Sequence, residues 1–316
     1  LTWKRKEPVW IEQWLLFKTK LCTLEALVEE QLAKGHITET TSPWNSPVFV
    51  LKKPSKDRWR LHHGLCKISE VIEDMGPLQP GLPSPSMLPR DWMPAIIDIK
   101  DCFFNIPLHP QDTPQFAFSV PSLNKRAPLK RCHWLVLPQG MKNSLAICQW
   151  YVAHILSPIQ NLFLDAVIHH YMDDVLICAS EKTYLDTTVK RTIEAIEEAG
   201  FKIREDKVQY TSPWTYLGFQ IRERTITPQQ LAIQDNPKTL RDLHKLCGSI
   251  NWVCPLLGIT TEDLAPLFSL LRGSEDLDSP CALSPEAQDS IPKVQEALSS
   301  RQVHPIEPSL PLQFTI

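Results

Sequence analysis

The chain has 316 residues, 43% of them hydrophobic and 22% charged, a composition that excludes a disordered chain and supports one to three folded domains. Its net charge of −3 excludes nucleic-acid binding through the overall electrostatic field and leaves only a local basic groove for that role. The nine scattered cysteines never form a C-x-x-C pair, which argues against structural zinc and a disulfide framework and favours a reducing compartment.

The N-terminal third combines helical and strand patterns. Apolar residues at helical spacing predict a helix within 23–35, closed by Gly35. Residues 46–61 predict a strand, a polar turn and a second strand. The cluster HHGLC at 62–66 is either a metal site or, as we prefer, a polar loop. Six prolines within 76–94 predict a stiff, extended loop.

Strands and helices alternate through the middle of the chain. We expect a helix from Ser144, which would cap it, and a second helix over 181–199 that ends before Gly200. Strand patterns occupy the segments 95–108, 133–140, 169–180, 201–203, 208–210 and 216–223.

Helical patterns dominate after about residue 236. Asn236-Pro237 is predicted to open one helix, Thr260 or Thr261 a second, and Pro285 lies near the start of a third. Mixed strands and helices followed by helices predict an α+β fold.

The segment 169–180, HHYMDDVLICAS, places two adjacent carboxylates, Asp173 and Asp174, among apolar residues. At a hairpin turn both side chains can reach one side of the backbone. Their like charges repel, and burial disfavours ionisation, so a divalent cation would stabilise the pair. Mg²⁺ suits this role because it takes oxygen ligands and keeps waters or substrate phosphates in its shell. The alternative is an ordinary Asp-Asp turn.

A third carboxylate is available in the strand AIIDIKDCFF. Asp98 is a lone acid among apolar residues, where an unpaired charge is expensive, and Asp101 follows at the turn. If this strand lies beside the hairpin, Asp98 and Asp173 can share a metal. Two ions roughly 3.5–4 Å apart would activate a hydroxyl and stabilise a leaving pyrophosphate. The alternative for Asp98 is a buried acid paired with a base.

Basic and aromatic side chains suited to nucleotides occur elsewhere, although each taken alone is more often a solvated charge or a core residue. Phosphates could be held by Lys52, Lys53, Arg58 and Arg60. Bases or sugars could stack on Phe103, Tyr171, Trp214 and Trp252.

Six motifs in a fixed order resemble those of retroviral reverse transcriptase, in particular the endogenous retrovirus group K (betaretrovirus-like) Pol proteins. The resemblance covers nearly the whole chain. YMDD alone is moderately specific, and LPQG together with Asp98 at 75 residues' distance makes the pattern strong. The motifs are SPWNSPVFVLKKPSKDRWR, IIDIKDCFFNIPL, LPQGMKNS, YMDD, YLGFQI and LCGSINW.

The resemblance implies a right-hand polymerase of fingers, palm and helical thumb. Residues 1–95 would form the fingers with an N-terminal arm, and 96–230 the palm, with a fingers insertion at about 110–140. Residues 231–302 would form the thumb, and 303–316 the start of a truncated connection.

The same resemblance assigns roles to individual residues. The catalytic and metal-binding acids would be Asp98, Asp173 and Asp174. The incoming nucleotide would contact Lys53, Arg60, Asp101, Phe103 and Gln139. A large ring at Phe103 would clash with a 2′-hydroxyl, so deoxynucleotides are expected. Primer and template would contact Tyr171, Met172, Leu217, Gly218, Gly248 and Trp252.

Four positions depart from the family pattern. Gly64 and Cys66 stand where relatives carry an acid and an arginine, and Leu145 stands where proline is expected. Pro292 falls inside a predicted thumb helix, where an interior proline costs ~3 kcal/mol unless a kink is accommodated. These departures favour a genomic copy that is no longer under tight selection.

The expected function is therefore an RNA-directed DNA polymerase that uses two Mg²⁺ ions, with Mn²⁺ as an alternative. Its partners would be an RNA or DNA template with a DNA primer, deoxynucleoside triphosphates, and a second copy or other Pol segments. Neither a signal peptide nor a membrane span is expected, so the protein would be cytoplasmic or virion-associated. The alternatives are a catalytically degenerate nucleic-acid scaffold and a metal-dependent nuclease.

Overall fold

A computed structural model describes residues 1–52, 58–76, 84–122, 128–229, 235–272 and 276–305, without the side chains of 255–257. The described part contains helices and antiparallel sheets, which confirms the α+β prediction. The helices are α1 (Lys18–Ala33), α2 (Cys66–Glu70), α3 (Ser144–Leu162), α4 (Lys182–Glu198), α5 (Leu240–Leu257), α6 (Thr261–Ser269) and α7 (Pro285–Ser300). The strands are β1 (Ile37–Glu39), β2 (Val48–Lys52), β3 (Trp59–His63), β4 (Met93–Lys100), β5 (Ala117–Val120), β6 (Lys130–Trp134), β7 (Ala166–Tyr171), β8 (Asp174–Ala179), β9 (Lys202–Ile203), β10 (Trp214–Tyr216), β11 (Phe219–Ile221) and β12 (Ile226–Pro228).

The central sheet has the strand order β7-β8-β4-β9 and is antiparallel throughout. Alternate residues of a strand point to opposite faces, and both faces of this sheet are covered. Ile97 and Ile177 share one core cluster with α3 and α4, whereas Ile96 and Leu176 share another with strands β10 and β11. The even-numbered side chains of β4 and β8 therefore face the second sheet.

That second sheet, β10-β11-β12, links the central sheet to the C-terminal helices. Its buried side chains pack with Val253 of α5 and Ala297 of α7. Two capping boxes, Thr239 with Asp242 and Thr260 with Asp263, fix the starts of α5 and α6 by satisfying backbone N–H groups that have no partner within the helix.

The N-terminal region contains the β2–β3 hairpin, the sheet β1-β6-β5 and helix α1. The hairpin arms are the predicted ones, while the intervening residues 53–57 lie outside the described part. His62 and His63 belong to β3, so the polar-loop interpretation of 62–66 is wrong. His63 is buried edge-on against Phe118, and burial lowers its pKa to about 3, which keeps the ring neutral.

Three further local predictions are wrong. Ser144 is the first residue of α3 and does not cap it, because its hydroxyl donates to the carbonyl of Pro138 and Asn143 occupies the N-cap position. Asn236-Pro237 does not open α5, whose N-cap is Thr239. The segment 208–210 forms only one isolated bridge, between Gln209 and Ile96, instead of a strand.

The remaining helix predictions agree with the structure. Gly35 and Gly200 follow α1 and α4 with φ of 70° and 88°, a conformation that glycine adopts readily. Thr260 caps α6, and α7 starts at Pro285 and continues past Pro292 to Ser300.

Two predicted loop segments are only partly described. Of the proline-rich stretch 76–94, residues 77–83 lie outside the described part, Pro85–Met87 form a 3-10 turn and β4 already begins at Met93. Of the predicted connection at 303–316, only the first three residues are described. Within the described residues, no helix has the length and hydropathy needed to cross a membrane.

Candidate active site

The two adjacent acids lie at the tip of the β7–β8 hairpin. Tyr171 pairs with Asp174, so Met172 and Asp173 form a two-residue turn. Met172 has φ 56°, the positive value that the tight turns of β-hairpins require at their first central position. A β-branched or bulky residue pays strain for this conformation, and the surrounding contacts must hold it.

Gln149 of α3 provides those contacts. Its Oε1 atom accepts a hydrogen bond from the Met172 backbone N–H at 2.7 Å, and its Nε2 atom donates to the His170 carbonyl at 3.1 Å. The His170 ring in turn lies 3.2 Å from the Gln149 carbonyl. Helix α3 therefore holds the hairpin at its strained residue and two residues before it.

The strand register brings the third acid to the same place. Asp98 of β4 is the direct cross-strand partner of Asp174, and the Ile99 N–H donates to the Asp173 carbonyl at 2.7 Å. Directly paired residues in antiparallel strands carry their side chains on the same face. The three acids that the sequence separates by 75 residues consequently meet at one end of the central sheet.

The electrostatics of this end are unfavourable for three negative charges. Burial, followed by the charges of Asp173 and Asp98, raises the pKa of Asp174 to about 6. Burial also raises the pKa of Asp173, and the charge of Asp98 adds to the effect. A cluster of carboxylates packed this closely is stabilised most by a nearby cation.

Two basic side chains partly meet that need at Asp98. Lys207 donates to one carboxylate oxygen, and Arg204 Nε lies 3.3 Å from the other. That second oxygen is buried and accepts no hydrogen bond from the described residues. The pairing of Asp98 with a base, left open as an alternative from the sequence, is therefore present alongside its proximity to the hairpin acids.

The donor set fits Mg²⁺, because it consists of carboxylate oxygens, one of them buried and without a hydrogen bond. Within the described ranges, no three acid, histidine or cysteine side chains already converge as a finished chelate. Asp98 is turned toward Lys207 and Arg204, so binding of an ion would require this carboxylate to loosen from them.

The expected nucleotide-binding residues differ in exposure and in how far the structure describes them. Arg60 is exposed on β3, Gln139 is exposed in the loop after β6, and Lys53 lies outside the described residues. Asp101 is exposed and has φ 49°, and Asn105 stabilises the bend by donating to the carbonyl of Asp101 at 3.1 Å.

Phe103 follows in the 3-10 turn and is half-buried against the main core. Its neighbour Cys102 has its Sγ atom 3.3 Å from that of Cys148 on α3, so the turn is packed against the helix that holds the hairpin. The ring is thus held on a rigid segment next to Asp101.

The expected primer-binding residues form one connected unit. Leu217 and Gly218 make the turn between β10 and β11 with φ of 49° and 79°. The Trp252 indole of α5 donates to the Leu217 carbonyl at 2.8 Å, and its ring packs edge-on against Tyr171 at 5.9 Å. One tryptophan therefore joins the C-terminal helices to both hairpins.

Gly248 and Gly64 differ in what their missing side chains allow. A Cβ at Gly248, on the exposed side of α5, would meet no atom within 4 Å, so packing within this chain does not require glycine there. A Cβ at Gly64 would lie 3.1 Å from Pro47 Cγ and 3.2 Å from its carbonyl oxygen. Pro47 therefore packs tightly against the position where relatives were expected to carry an acid.

The other departures from the family pattern are tolerated locally. Cys66 and Leu145 are exposed, each in the first turn of a helix. Pro292 lies within α7, and the nearby residues Ile291 and Val294 of the same helix are buried in the C-terminal core.

Sequence reasoning missed several residues that shape the site. Gln149, Arg204 and Lys207 carry no motif that distinguishes them from ordinary polar residues. Asn105, four residues after Asp101, was a weak signal, because asparagine side chains often bond the backbone of a preceding turn. Tyr216 was visible only as an apolar strand residue.

Comparison with known proteins finds two family models and several retroviral polyproteins that are similar to this chain. A family model described as "Reverse transcriptase (RNA-dependent DNA polymerase)" matches residues 51–221, and one described as "Reverse transcriptase thumb domain" matches residues 228–292. The Gag-Pro-Pol polyprotein of Mason-Pfizer monkey virus is 46% identical over the whole chain. That of mouse mammary tumor virus is 43% identical, also over the whole chain. The chain spans 18% of the length of either polyprotein.

Proposed function

The chain belongs to the reverse transcriptase family, and from this premise we propose that it is the RNA-directed DNA polymerase domain of a retroviral Pol polyprotein. It has the family's right-hand architecture of fingers, palm and thumb. The observation that carries the proposal is the pairing of Asp98 with Asp174 beside Asp173, at a sheet end where burial and mutual repulsion raise the pKa values of the hairpin acids.

The reaction would be attack of a primer 3′-hydroxyl on the α-phosphate of a deoxynucleoside triphosphate, with pyrophosphate leaving. Asp98 and Asp173, assisted by Asp174, would hold two Mg²⁺ ions. When bound, such ions stabilise the charge that develops on the attacking and leaving oxygens. The protein itself contributes positioning and electrostatics, without covalent participation.

Residues of the N-terminal region and the palm would orient the nucleotide. Arg60, together with Lys53, would bind the triphosphate, and Gln139 would lie beside it. Asp101 and Phe103 would seat the sugar, and the ring of Phe103 would exclude a ribonucleotide by contact with its 2′-hydroxyl. The rigid bend at Asp101 supports this role, because a steric filter works only if its backbone cannot retreat.

The C-terminal helices would hold the primer–template duplex. Leu217 and Gly218 would contact the primer backbone, with Tyr171 and Met172 near its 3′-end. Gly248 supports a duplex-facing α5, because no contact with the described residues accounts for the absence of a side chain there. Trp252 would keep the helices in register with the hairpins.

Primer extension tests this proposal. We expect Mg²⁺-dependent addition of deoxynucleotides to a DNA primer on an RNA template. Asp173→Asn should reduce the rate by at least about a thousandfold, because its carboxylate would be a ligand of the ions. Asp186→Asn, an exposed acid on α4, is the matched control and should retain full activity. Extension that survives Asp173→Asn would remove this acid from the mechanism.

A second candidate is a nucleic-acid scaffold that has lost synthesis, as in an endogenous copy under relaxed selection. Gly64 favours it, because a Cβ there would lie only 3.1 Å from Pro47 Cγ, so the acid expected in relatives would require Pro47 to shift. Duplex binding without extension, at every Mg²⁺ and Mn²⁺ concentration tested, would identify this state. Cleavage of nucleic acid without added nucleotides would instead support a nuclease.

A further inference from the structure

The Tyr216 hydroxyl is a buried polar group without a partner. The residue is only 2% exposed, and its oxygen makes no hydrogen bond with the described residues. Leaving a buried hydroxyl unpaired is unfavourable, since it loses its bonds to water and gains none. Phenylalanine would fill the same space without this penalty, so packing alone does not account for a tyrosine here.

The fold places Tyr216 over the face of the central sheet that carries two of the acids. It shares a core cluster with Ile96 and Leu176, which are cross-strand partners. Asp98 and Asp174 are the next pair along the same strands and, two residues away, lie on the same face. Tyr216 therefore packs on the face of the central sheet that carries Asp98 and Asp174.

Of the two acids on this face, Asp174 is the one that the described residues leave without a basic partner. The pKa of Tyr216 is raised by burial first and by the charge of Asp174 second. Asp98 already has Lys207 and Arg204 as partners. The side chain of Asp174 accepts no hydrogen bond from the described residues. The Tyr216 hydroxyl, a donor without a partner, and the Asp174 carboxylate, an acceptor without one, therefore lie in the same region.

We propose that Tyr216 is a positioning residue for Asp174, whose carboxylate accepts a hydrogen bond from the tyrosine hydroxyl when the three acids hold a divalent cation. The bond would fix the side-chain rotamer of Asp174 and leave its second oxygen for the ion. This inference rests on the proposed function, because it gives Asp174 its place in that metal site. Outer partners of this kind orient metal-binding carboxylates in proteins generally.

Metal binding without nucleic acid provides the first test. Mn²⁺ affinity is measured by electron paramagnetic resonance for the unaltered chain, Tyr216→Phe and Tyr210→Phe. The second variant removes the hydroxyl of a half-exposed tyrosine outside the site and serves as the control. We expect roughly tenfold weaker Mn²⁺ binding for Tyr216→Phe alone, the factor typical of one hydrogen bond to a charged group. Unchanged affinity would overturn the inference.

A second measurement follows the hydroxyl directly. The chain has five tyrosines, so ¹³Cζ-labelled tyrosine gives five resonances, and Tyr→Phe variants of the other four assign that of Tyr216 by elimination. We expect this resonance to shift when Mg²⁺ is added to the unaltered chain and to stay fixed in Asp174→Asn. A Tyr216 resonance that ignores both Mg²⁺ and the Asp174 substitution would overturn the inference even if Tyr216→Phe failed to fold.

Kinetics separate this inference from the proposed function. If the unaltered chain extends primers, Tyr216→Phe should need about tenfold more Mg²⁺ for half-maximal activity while the KM for deoxynucleotide at saturating Mg²⁺ is unchanged. If Tyr216 were only structural, Tyr216→Phe would lower the melting temperature without raising the Mg²⁺ requirement. Active protein with an unshifted Mg²⁺ requirement rejects the inference alone. If the chain has no extension activity but Tyr216→Phe still weakens metal binding, the polymerase proposal is rejected and this inference is retained.

Discussion

At the scale of single residues, the candidate site contains three acids in three different environments. Asp98 is buried and held by Lys207 and Arg204. Asp173 lies in the hairpin turn, and Asp174 is partly buried with like charges as its main charged neighbours. The fold thus gives each of the three acids a different set of charged neighbours.

Replacement of Asp174 by Asn should stabilise the metal-free protein at neutral pH. The folded-state pKa is about 6 against an ordinary 3.8, so the folded chain holds this proton more tightly than the unfolded one. The protonated Asp174 carboxyl therefore contributes its full stabilisation below about pH 4, and this contribution is lost as the pH rises through 6. At pH 7.5 we expect Asp174→Asn to be more stable by roughly 1–3 kcal/mol, since one pK unit is worth about 1.4 kcal/mol.

Thermal unfolding in a chelator between pH 4.5 and 8 measures this difference. The gap between the two proteins should widen with pH, and Mg²⁺ should narrow it by stabilising only the unaltered chain. Asp186→Asn should show no such trend. An Asp174→Asn variant that is less stable at every pH would show that the carboxylate is not repelled in the folded state.

At the scale of elements, hydrogen bonds from helix α3 hold the tip of the β7–β8 hairpin in place. Gln149 bonds the backbone before and at the strained Met172, so the helix determines where the hairpin tip lies. The contact between Cys102 and Cys148 attaches the turn after β4 to the same helix. One rigid element therefore sets the distance between the expected sugar-binding turn and the acids.

Gln149→Met should impair catalysis more than stability. The change keeps the side-chain length but leaves the Met172 N–H and the His170 carbonyl without their partner, at about 1–3 kcal/mol for each buried group. The released hairpin tip should lower kcat by tenfold or more, because misplacement of reacting groups by about 1 Å can cost a hundredfold.

Gln160→Met is the matched control for this variant. Gln160 lies on the same helix and donates to the Ile168 carbonyl at 3.0 Å, farther from the tip. Single-turnover extension and thermal unfolding should show loss of stability in both variants and loss of rate only for Gln149→Met. Equal loss of rate would mean that the helix, and not this contact, positions the hairpin.

At the scale of the whole molecule, Trp252 connects the helical C-terminal region to the face that carries the candidate active site. Its indole bonds the Leu217 carbonyl and packs on Tyr171, so α5 contacts both the expected primer-binding turn and the hairpin that carries the acids. The core clusters agree with this connection, since Val253 beside it belongs to the cluster of the second sheet.

Trp252→Phe should weaken binding of the primer–template duplex. Phenylalanine retains an aromatic contact with Tyr171 but cannot donate to Leu217, so the helices lose a fixed position relative to the primer-binding turn. We expect the Kd for duplex to rise about tenfold, the effect of one well-formed hydrogen bond whose carbonyl is then left unpaired. Fluorescence anisotropy measures it, with Trp150→Phe, on the exposed face of α3, as the control. Equal affinities for both variants would contradict the coupling.

Much of the architecture follows from local sequence signals. The YMDD hairpin, the strand around Asp98 and the capping residues of α1, α4 and α6 all act over a few residues, and the structure has them as predicted. The predictions that failed concern competition between local and tertiary bonds. Ser144 had the chemistry of a cap, but the carbonyl of Pro138 captured its hydroxyl.

The sequence by itself therefore determined the family and the α+β class and predicted which acids form the candidate site, because residue type and spacing along the chain carry that information. Only the tertiary structure decided how the acids are held. Lys207 reaches Asp98 across 109 residues, Trp252 reaches Leu217 across 35, and Gln149 reaches Met172 across 23. Such contacts arise from strand register and packing between elements, which bring together side chains that no local pattern relates.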